Sequence, residues 1–192
     1  PGNKAVVIGG SMSGLLSGLM LRRAGWQVDI YERVESELSG RGAGIVAQQE
    51  LIERLRALGL ATEALGVTIV TRKILDGDGR LTEQVDCPQV LTAWERVYRL
   101  LRDAFPAAHY HRGRGFTGFE QRGESVLARF SDGETVEADL LVGADGIRST
   151  VRQQALPRAA PLYAGYCAWR SLLAEHDFPP DVHRALFEYM TF

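Results

Sequence analysis

The feature that most limits the fold of this chain is a glycine-rich turn between an apolar run and a helical pattern near the N-terminus. Ala5–Ile8 is apolar and rich in β-branched residues, which is typical of a strand buried on both faces. The turn Gly9–Gly14 follows, and leucines then recur at helical spacing up to Gly25, a residue suited to a helix C-cap. A second strand begins at Val28 and ends at Glu32. This order predicts a strand–helix–strand unit of an α/β fold.

A turn that leads directly into a helix points unpaired backbone N–H groups and the positive end of the helix dipole at one place. Gly9 permits the turn, Gly14 lets the helix approach the strand, and Ser11 replaces the middle glycine of the usual G-x-G-x-x-G pattern. Glu32 lies at about the ~20-residue spacing of an acid that accepts hydrogen bonds from a ribose. We therefore predict a dinucleotide site; the alternative is a glycine turn in an ordinary strand–helix–strand unit with a surface glutamate.

The composition narrows the functional classes. The chain has 192 residues, 45% of them hydrophobic, and a formal net charge of −2, which gives no support for nucleic-acid binding or for a basic membrane surface. No apolar run approaches the ~20 residues of a membrane span, and the N-terminus lacks a signal-peptide pattern. Cys87 and Cys167 stand far apart without metal-ligand spacing. They are expected to be reduced thiols, which favours a cytoplasmic location.

A second glycine-rich stretch precedes the next helix. Ser39–Val46 contains three glycines within five residues, which predicts a loop that turns sharply or lies against a flat surface; a mobile loop is the alternative. The helix that follows is expected to have Leu51, Leu55 and Leu58 on one face and Gly59 as its stop signal.

The middle of the chain predicts a hairpin and then a helix. Val67–Val85 alternates around Asp76–Gly79, a strong turn signal, and Pro88 is expected to close the hairpin. A helix is predicted from about Ala93 to Phe105. Its inward face is expected to consist of Val97, Leu100, Leu101 and Ala104.

His109 and His111 lie on the same side of a predicted strand. Two imidazoles could hold a metal, but no carboxylate or cysteine lies at ligand spacing nearby, so an exposed strand without a metal is predicted. Short strands are expected at Phe116–Gln121, Ser125–Phe130 and Thr135–Ala138.

Asp139–Gly146 is the second informative stretch, an apolar strand that ends in Gly-Ala-Asp-Gly. Open α/β sheets bind ligands at the carboxyl ends of their strands, so Asp145 is a candidate acceptor for sugar hydroxyls. An aspartate that caps a turn is the equal alternative. Further on, Tyr163–Leu173 is predicted to form an aromatic-rich strand that needs partners beyond the given sequence. We therefore expect the chain to be the N-terminal part of a longer protein.

The two informative stretches together resemble the FAD-dependent aromatic hydroxylases, the class A flavoprotein monooxygenases of the para-hydroxybenzoate hydroxylase type. The specific match is Gly143–Arg152, which NAD dehydrogenases lack, and Tyr163–Arg170 resembles the branch that contains 2,6-dihydroxypyridine 3-monooxygenase. The resemblance implies a Rossmann-like FAD-binding domain over residues 1–158, with 67–92 as a hairpin that joins the substrate-side sheet. Residues 159–192 would begin a β-rich substrate-binding domain that is incomplete here.

The resemblance also implies roles for individual residues, among which no catalytic residue and no metal ligand is named. The FAD pyrophosphate would face Gly9, Ser11, Ser13 and Gly14, and the adenosine ribose would face Glu32, with Arg33 beside it. The flavin end would lie near Gly44, Ile45 and Val46. Asp145 would contact the ribityl or pyrophosphate region. Met12, Arg41 and Gly146 complete the predicted cofactor-binding set. Two features depart from the family pattern: Trp94 stands where many members have an arginine, and the family's later Gly-Asp motif is absent.

The implied reaction is hydroxylation of an electron-rich aromatic or N-heteroaromatic ring, hydroxypyridine-like, with non-covalent FAD, NADH or NADPH, and O2. A homodimer is one candidate assembly, and the sequence does not determine the oligomeric state. Two competing functions use the same glycines: an NAD-dependent dehydrogenase and a non-catalytic dinucleotide-binding module.

Overall fold

The computed structural model describes residues 3–38, 40, 44–168, 174–186 and 189–191. It contains five α-helices and eleven strands within these residues, which agrees with the predicted α/β fold class. The strands are β1 (Lys4–Ile8), β2 (Gln27–Tyr31), β3 (Gly44–Ala47), β4 (Val67–Leu75), β5 (Leu81–Ala93), β6 (Tyr110–His111), β7 (Phe116–Arg122), β8 (Ser125–Phe130), β9 (Thr135–Ala138), β10 (Leu140–Gly143) and β11 (Met190–Thr191). The helices are α1 (Met12–Arg23), α2 (Gln49–Ala57), α3 (Trp94–Ala104), α4 (Thr150–Ala155) and α5 (Pro180–Leu186).

The chain divides into two compact units. One comprises Pro1–Arg41 and Tyr98–Cys167, and the other comprises Gly42–Val97 and Ala168–Phe192. The first unit is called the nucleotide unit below, because it holds the glycine turn, and the second is called the hairpin unit, because it holds β4 and β5.

A parallel sheet with the strand order β10-β1-β2-β6 forms the centre of the nucleotide unit. The strand β1 lies inside this sheet, and its residues Ala5, Val6 and Val7 are fully buried. This burial on both faces explains why the sequence of β1 is continuously apolar rather than alternating. Helix α1 connects β1 to β2, which confirms the predicted strand–helix–strand unit.

A three-stranded antiparallel sheet, β7-β8-β9, packs in the same unit. The three predicted strands are confirmed to within one residue. Alternate residues of β8 join a buried cluster with side chains from the parallel sheet. The buried members of this cluster are Val6, Ile8, Tyr31, Val126, Ala128, Phe130 and Ala138.

The hairpin unit contains a mixed sheet with the order β11-β4-β5-β3. The predicted turn at Asp76–Gly79 is confirmed, since the Asp76 carboxylate accepts hydrogen bonds from the N–H groups of Asp78 and Arg80. The expectation that Pro88 closes the hairpin is wrong, because β5 continues to Ala93. Pro88 is accommodated at an irregularity where the pairing register with β4 shifts, and there its missing N–H interrupts no regular ladder bond.

Three other local expectations need correction. Gly44, Ile45 and Val46, predicted to belong to a loop, form strand β3, which pairs antiparallel with β5. In α2 Leu55 is buried as predicted, but Leu51 and Leu58 are only half-buried, and Ile52 is the second buried residue of the helix. In helix α3, Val97 and Leu101 are buried as predicted, but Ala104 is exposed and Tyr98 takes the inward position.

The predicted aromatic strand at Tyr163–Leu173 is wrong for its described part. Residues 163–168 have no strand structure, and Tyr163 and Tyr166 are 79% and 74% exposed. A strand requires a neighbour for its backbone hydrogen bonds, and no described strand pairs with these residues. Residues 169–173 lie outside the described residues.

Among the described helices, none has the length and apolar character that a membrane crossing requires.

Candidate cofactor site

The carboxyl ends of three parallel strands bring the predicted site residues of the nucleotide unit to one edge of its sheet. Strand β1 ends at the glycine turn, β2 at Glu32, and β10 at the segment that contains Asp145. The register pairs Ile8 with Gly143 and with Tyr31, so these three strand ends are level. Ligands in open α/β sheets bind at this kind of edge.

The turn after β1 prepares the start of α1 for an anion. Gly9 has a φ of +105°, which favours glycine, and Ser11 is the N-cap of the helix. The Ser11 side chain makes no capping hydrogen bond, and the first turn of α1 contains no acidic residue. Within the described residues, no acceptor is assigned to the N–H groups of Met12, Ser13 or Gly14. The positive helix end is therefore open to a negative group.

Two glycines allow close backbone approaches around this turn. A Cβ at Gly14 would overlap the carbonyl oxygen of Gly9 and lie 3.4 Å from a methyl carbon of Val7 in β1, so Gly14 lets α1 approach both the turn and, as predicted, the strand. A Cβ at Gly9 would overlap the carbonyl oxygen of Ala144. The N–H of Ala144 donates to the carbonyl of Ile8 at 2.7 Å. The glycine turn and the Gly-Ala-Asp-Gly segment, which are distant in sequence, are thus in direct backbone contact.

Glu32 is a buried carboxylate, 7% exposed, at the end of β2. Its Oε2 accepts a hydrogen bond from the N–H of Gly10 at 2.8 Å, and its Oε1 accepts one from Val34 at 2.9 Å. A carboxylate offers about four lone-pair sites, so acceptor capacity remains for the hydroxyls of a ribose. Arg33, its neighbour, is exposed.

Asp145 uses both carboxylate oxygens at the start of α4. Its Oδ1 accepts from the Ser149 hydroxyl at 2.5 Å, and its Oδ2 accepts from the N–H groups of Thr150 and Val151 at 2.7 and 3.2 Å. The capping role, one of the two predicted alternatives, is thus present. Contact with a cofactor stays a prediction for Asp145.

The glycines that flank Asp145 differ in their surroundings. Gly146 has a φ of +78° and open space where a Cβ would lie. At Gly143 a Cβ would come within 2.8 Å of a Val151 methyl carbon. Gly143 therefore permits α4 to pack on its strand, whereas only Gly146 leaves room for a ligand.

Two tyrosines near this edge had no signal in the sequence. Tyr110 lies in β6, 100 residues after Gly10, and its hydroxyl donates to the Gly10 carbonyl at 2.8 Å. Tyr98 of α3 donates to Glu37 at 2.5 Å, and Glu37 also accepts from Arg112 at 2.9 Å. Burial, followed by the hydrogen bond to Glu37, raises the pKa of Tyr98. Neither tyrosine occupies a recognisable motif, because both contacts depend on the tertiary fold.

The remaining predicted site residues do not belong to the described part of the nucleotide unit. Gly44, Ile45 and Val46 lie in the hairpin unit, where Gly44 is exposed and a Cβ there would find its nearest neighbour, the Thr92 carbonyl oxygen, at 3.9 Å. Arg41 lies outside the described residues.

His109 and His111 meet a carboxylate that is distant in sequence. The Nδ1 of His109 and the Nε2 of His111 lie 3.0 and 2.9 Å from the same oxygen, Oδ1 of Asp29. The His111 ring also stacks on Tyr31, with ring centroids 4.6 Å apart. The described residues contain no group of three or more His, Cys, Asp or Glu side chains that could hold a metal ion. His111 of β6 and His109, which ends the short 3-10 helix Ala107–His109 just before that strand, are thus both attached to β2.

The arrangement of turn, helix, acid and second backbone segment matches a known family. The model of the FAD binding domain family matches residues 3–187. The chain belongs to this family. Family membership confirms FAD as the predicted cofactor, and it gives no support to the NAD-dependent dehydrogenase alternative.

The chain is similar to members of the predicted branch, the one that contains 2,6-dihydroxypyridine 3-monooxygenase. The 2,6-dihydroxypyridine 3-monooxygenase of Paenarthrobacter nicotinovorans is 38% identical over 181 residues, which are 94% of this chain and 45% of the relative. The aurachin C monooxygenase/isomerase of Stigmatella aurantiaca is 33% identical over 182 residues, 89% of this chain and 47% of the relative. The solved structure of 2,6-dihydroxypyridine-3-hydroxylase from Arthrobacter nicotinovorans matches with a TM-score of 0.92 and 36% identity, covering 100% of this chain and 49% of that one. The chain spans about half the length of the curated relatives it matches.

Proposed function

We propose that the full-length protein is an FAD-dependent monooxygenase that hydroxylates an electron-rich aromatic or N-heteroaromatic ring of the hydroxypyridine class. NADH or NADPH and O2 are its co-substrates. The observation that carries the proposal is the contact between the glycine turn and the Asp145 segment at the edge of the parallel sheet. The two relatives described above, which match about nine-tenths of the chain, are monooxygenases, and this supports the reaction type.

The residues of the nucleotide unit fit the polar parts of FAD. The open N–H groups at the start of α1 suit the diphosphate, because they combine unpaired donors with the positive helix end. Glu32 suits a ribose with a free 2′-hydroxyl, since a carboxylate accepts hydrogen bonds and repels a 2′-phosphate. The proposed cofactor-binding residues are Gly9, Ser11, Met12, Ser13, Gly14, Glu32, Arg33, Arg41, Gly44, Ile45, Val46, Asp145 and Gly146.

When bound, FAD would supply the redox chemistry, taking electrons from NAD(P)H and activating O2 for transfer of one oxygen atom to the ring. The chain itself would hold the diphosphate and the ribose and would keep water from the reacting atoms. No side chain among the described residues is assigned a role in proton transfer to or from the ring.

We also propose that different segments of the chain bind the cofactor and the substrate. We assign FAD binding mainly to residues 1–158 and substrate contact to the sheet that receives the 67–92 hairpin and to residues 159–192. The pairing of β11 with β4 supports this, because it joins the last described strand to that hairpin.

The free thiols Cys87 and Cys167 support a cytoplasmic location, and the homodimer stays a prediction.

The visible spectrum of the purified full-length protein tests the proposal. We expect flavin absorption bands, release of the flavin on denaturation because binding is non-covalent, and NAD(P)H oxidation that depends on a dihydroxypyridine. A colourless protein that binds NADH would instead indicate the dehydrogenase. A yellow protein without ring-dependent NAD(P)H oxidation across a panel of hydroxypyridines and hydroxybenzoates would contradict the proposed activity while leaving FAD binding intact.

A further inference from the structure

Tyr110 reaches the glycine turn from a distant part of the chain. Its hydroxyl donates to the carbonyl oxygen of Gly10 at 2.8 Å, and its side chain is only 6% exposed. Burial raises the pKa of Tyr110 above its ordinary value. A Cβ at Gly10 would overlap the Tyr110 hydroxyl oxygen, so this contact requires glycine at position 10.

The ring of Tyr110 is fixed by its neighbours. The guanidinium carbon of Arg102 lies 4.2 Å from the ring centroid. The ring of Phe105, which is buried, meets it edge-on with centroids 6.5 Å apart. Cation–π and edge-to-face contacts both favour a defined ring orientation. The hydroxyl is therefore presented to Gly10 by a packed side chain.

Two side chains hold the two peptide groups on either side of Gly10. Glu32 accepts from the Gly10 N–H at 2.8 Å, and Tyr110 donates to the Gly10 carbonyl. Because the peptide group is planar and trans, a fixed Gly10 carbonyl also fixes the N–H of Ser11, which points the opposite way. In the described part of the chain, no acceptor is assigned to this N–H, which lies just before α1.

We propose that Tyr110 is a positioning residue for the cofactor diphosphate, which it serves by orienting the Gly10–Ser11 peptide. The Ser11 N–H is thereby aligned with the open N–H groups of α1 before the ligand arrives. Such preorganisation improves affinity because less ordering remains to be done on binding. The inference rests on the proposed FAD site, and it adds a residue that the glycine motif does not contain.

The test is Tyr110→Phe in the full-length apoprotein. Phenylalanine keeps the ring and its contacts with Arg102 and Phe105, so the variant is expected to fold, which its melting temperature checks. Dissociation constants are measured for FAD, for ADP, which carries a diphosphate, and for adenosine, which carries none. We expect the FAD and ADP affinities to fall roughly tenfold, as for the loss of one buried hydrogen bond, and the adenosine affinity to stay unchanged.

Tyr31→Phe is the matched control, because it removes a hydroxyl from another buried tyrosine of the same sheet. The Tyr31 ring contacts are with His111 and Phe130, and this variant should bind ADP like the wild type. An unchanged ADP affinity in Tyr110→Phe would overturn the inference about Tyr110 and leave the proposed function intact. An equal loss for adenosine and ADP would also overturn it, since that would indicate general packing. A wild-type protein that binds neither FAD nor ADP would overturn the proposed function and this inference together.

Discussion

Asp145 and Glu32 are side chains that each stabilise their own loop, and we propose that both also contact the cofactor. Glu32 accepts from two backbone N–H groups, and Asp145 accepts from two backbone N–H groups and the Ser149 hydroxyl. A substitution that removes the carboxylate therefore combines a folding effect with any binding effect. For Asp145 the geometry allows the effect on folding to be separated from the effect on cofactor binding.

Asparagine can reproduce the cap that Asp145 makes. Its amide oxygen can accept from the N–H groups of Thr150 and Val151, and its NH2 can donate to the Ser149 hydroxyl oxygen. We therefore expect Asp145→Asn to lose only ~0.3–1 kcal/mol of stability, from the missing charge at the helix start. If the carboxylate also accepts hydrogen bonds from FAD, the affinity of the full-length protein for FAD should fall roughly tenfold.

The measurements for Asp145→Asn are its melting temperature, its FAD dissociation constant and stopped-flow reduction of the bound flavin by NAD(P)H. A wild-type FAD constant and a wild-type reduction rate together would leave Asp145 with its capping role alone.

At the scale of elements, helix α1 meets the glycine turn and the core through two glycines with different surroundings. A Cβ at Gly14 would overlap the backbone carbonyl of Gly9, which cannot move without distorting the turn. A Cβ at Gly18 would lie 3.0 Å from the side chains of Ile30 and Phe105, which can adjust. Helix propensity alone would favour alanine by ~1 kcal/mol at either position.

We expect Gly14→Ala to destabilise the protein by ~1–3 kcal/mol, because the backbone overlap exceeds the gain in helix propensity. Gly18→Ala is the matched control on the same helix and should cost less. Both are measured by urea denaturation of the apoprotein. Equal free energies of unfolding for the two variants would show that the turn yields as easily as the side chains do.

Elements with local signals could be predicted from the sequence, and elements that depend on distant partners could not. The β1–α1–β2 unit and the Asp76–Gly79 turn carry their patterns within a few residues. The continuation of β5 past Pro88 depends on a register shift against β4, and the coil at 163–168 depends on the lack of a described pairing strand. The same reason explains the site: Glu32 has a motif spacing, whereas Tyr110 reaches Gly10 only through the folded sheet.

At the scale of the whole molecule, the parallel sheet gathers residues from four distant segments, so interactions between neighbouring strand ends affect global stability. The link between β2 and β6 is one such interaction, in which His109 and His111 share the Asp29 carboxylate. Burial pushes the pKa of Asp29 up, but hydrogen bonds and positive charge from His111 and His109 outweigh this, so the pKa lies below its ordinary value of 3.8.

This shift predicts a specific dependence of stability on pH. Since the folded-state pKa of Asp29 lies below its unfolded-state value, the contribution of the carboxylate is complete above the unfolded-state pKa and is lost as the pH falls through the folded-state pKa. The difference in free energy of unfolding between wild type and Asp29→Asn should therefore shrink as the pH falls below about 4. Urea denaturation of both proteins at a series of pH values measures it, with Asp103→Asn, at an exposed aspartate, as the control. A difference that is the same on both sides of this pH range would show that the two histidines do not stabilise the Asp29 carboxylate.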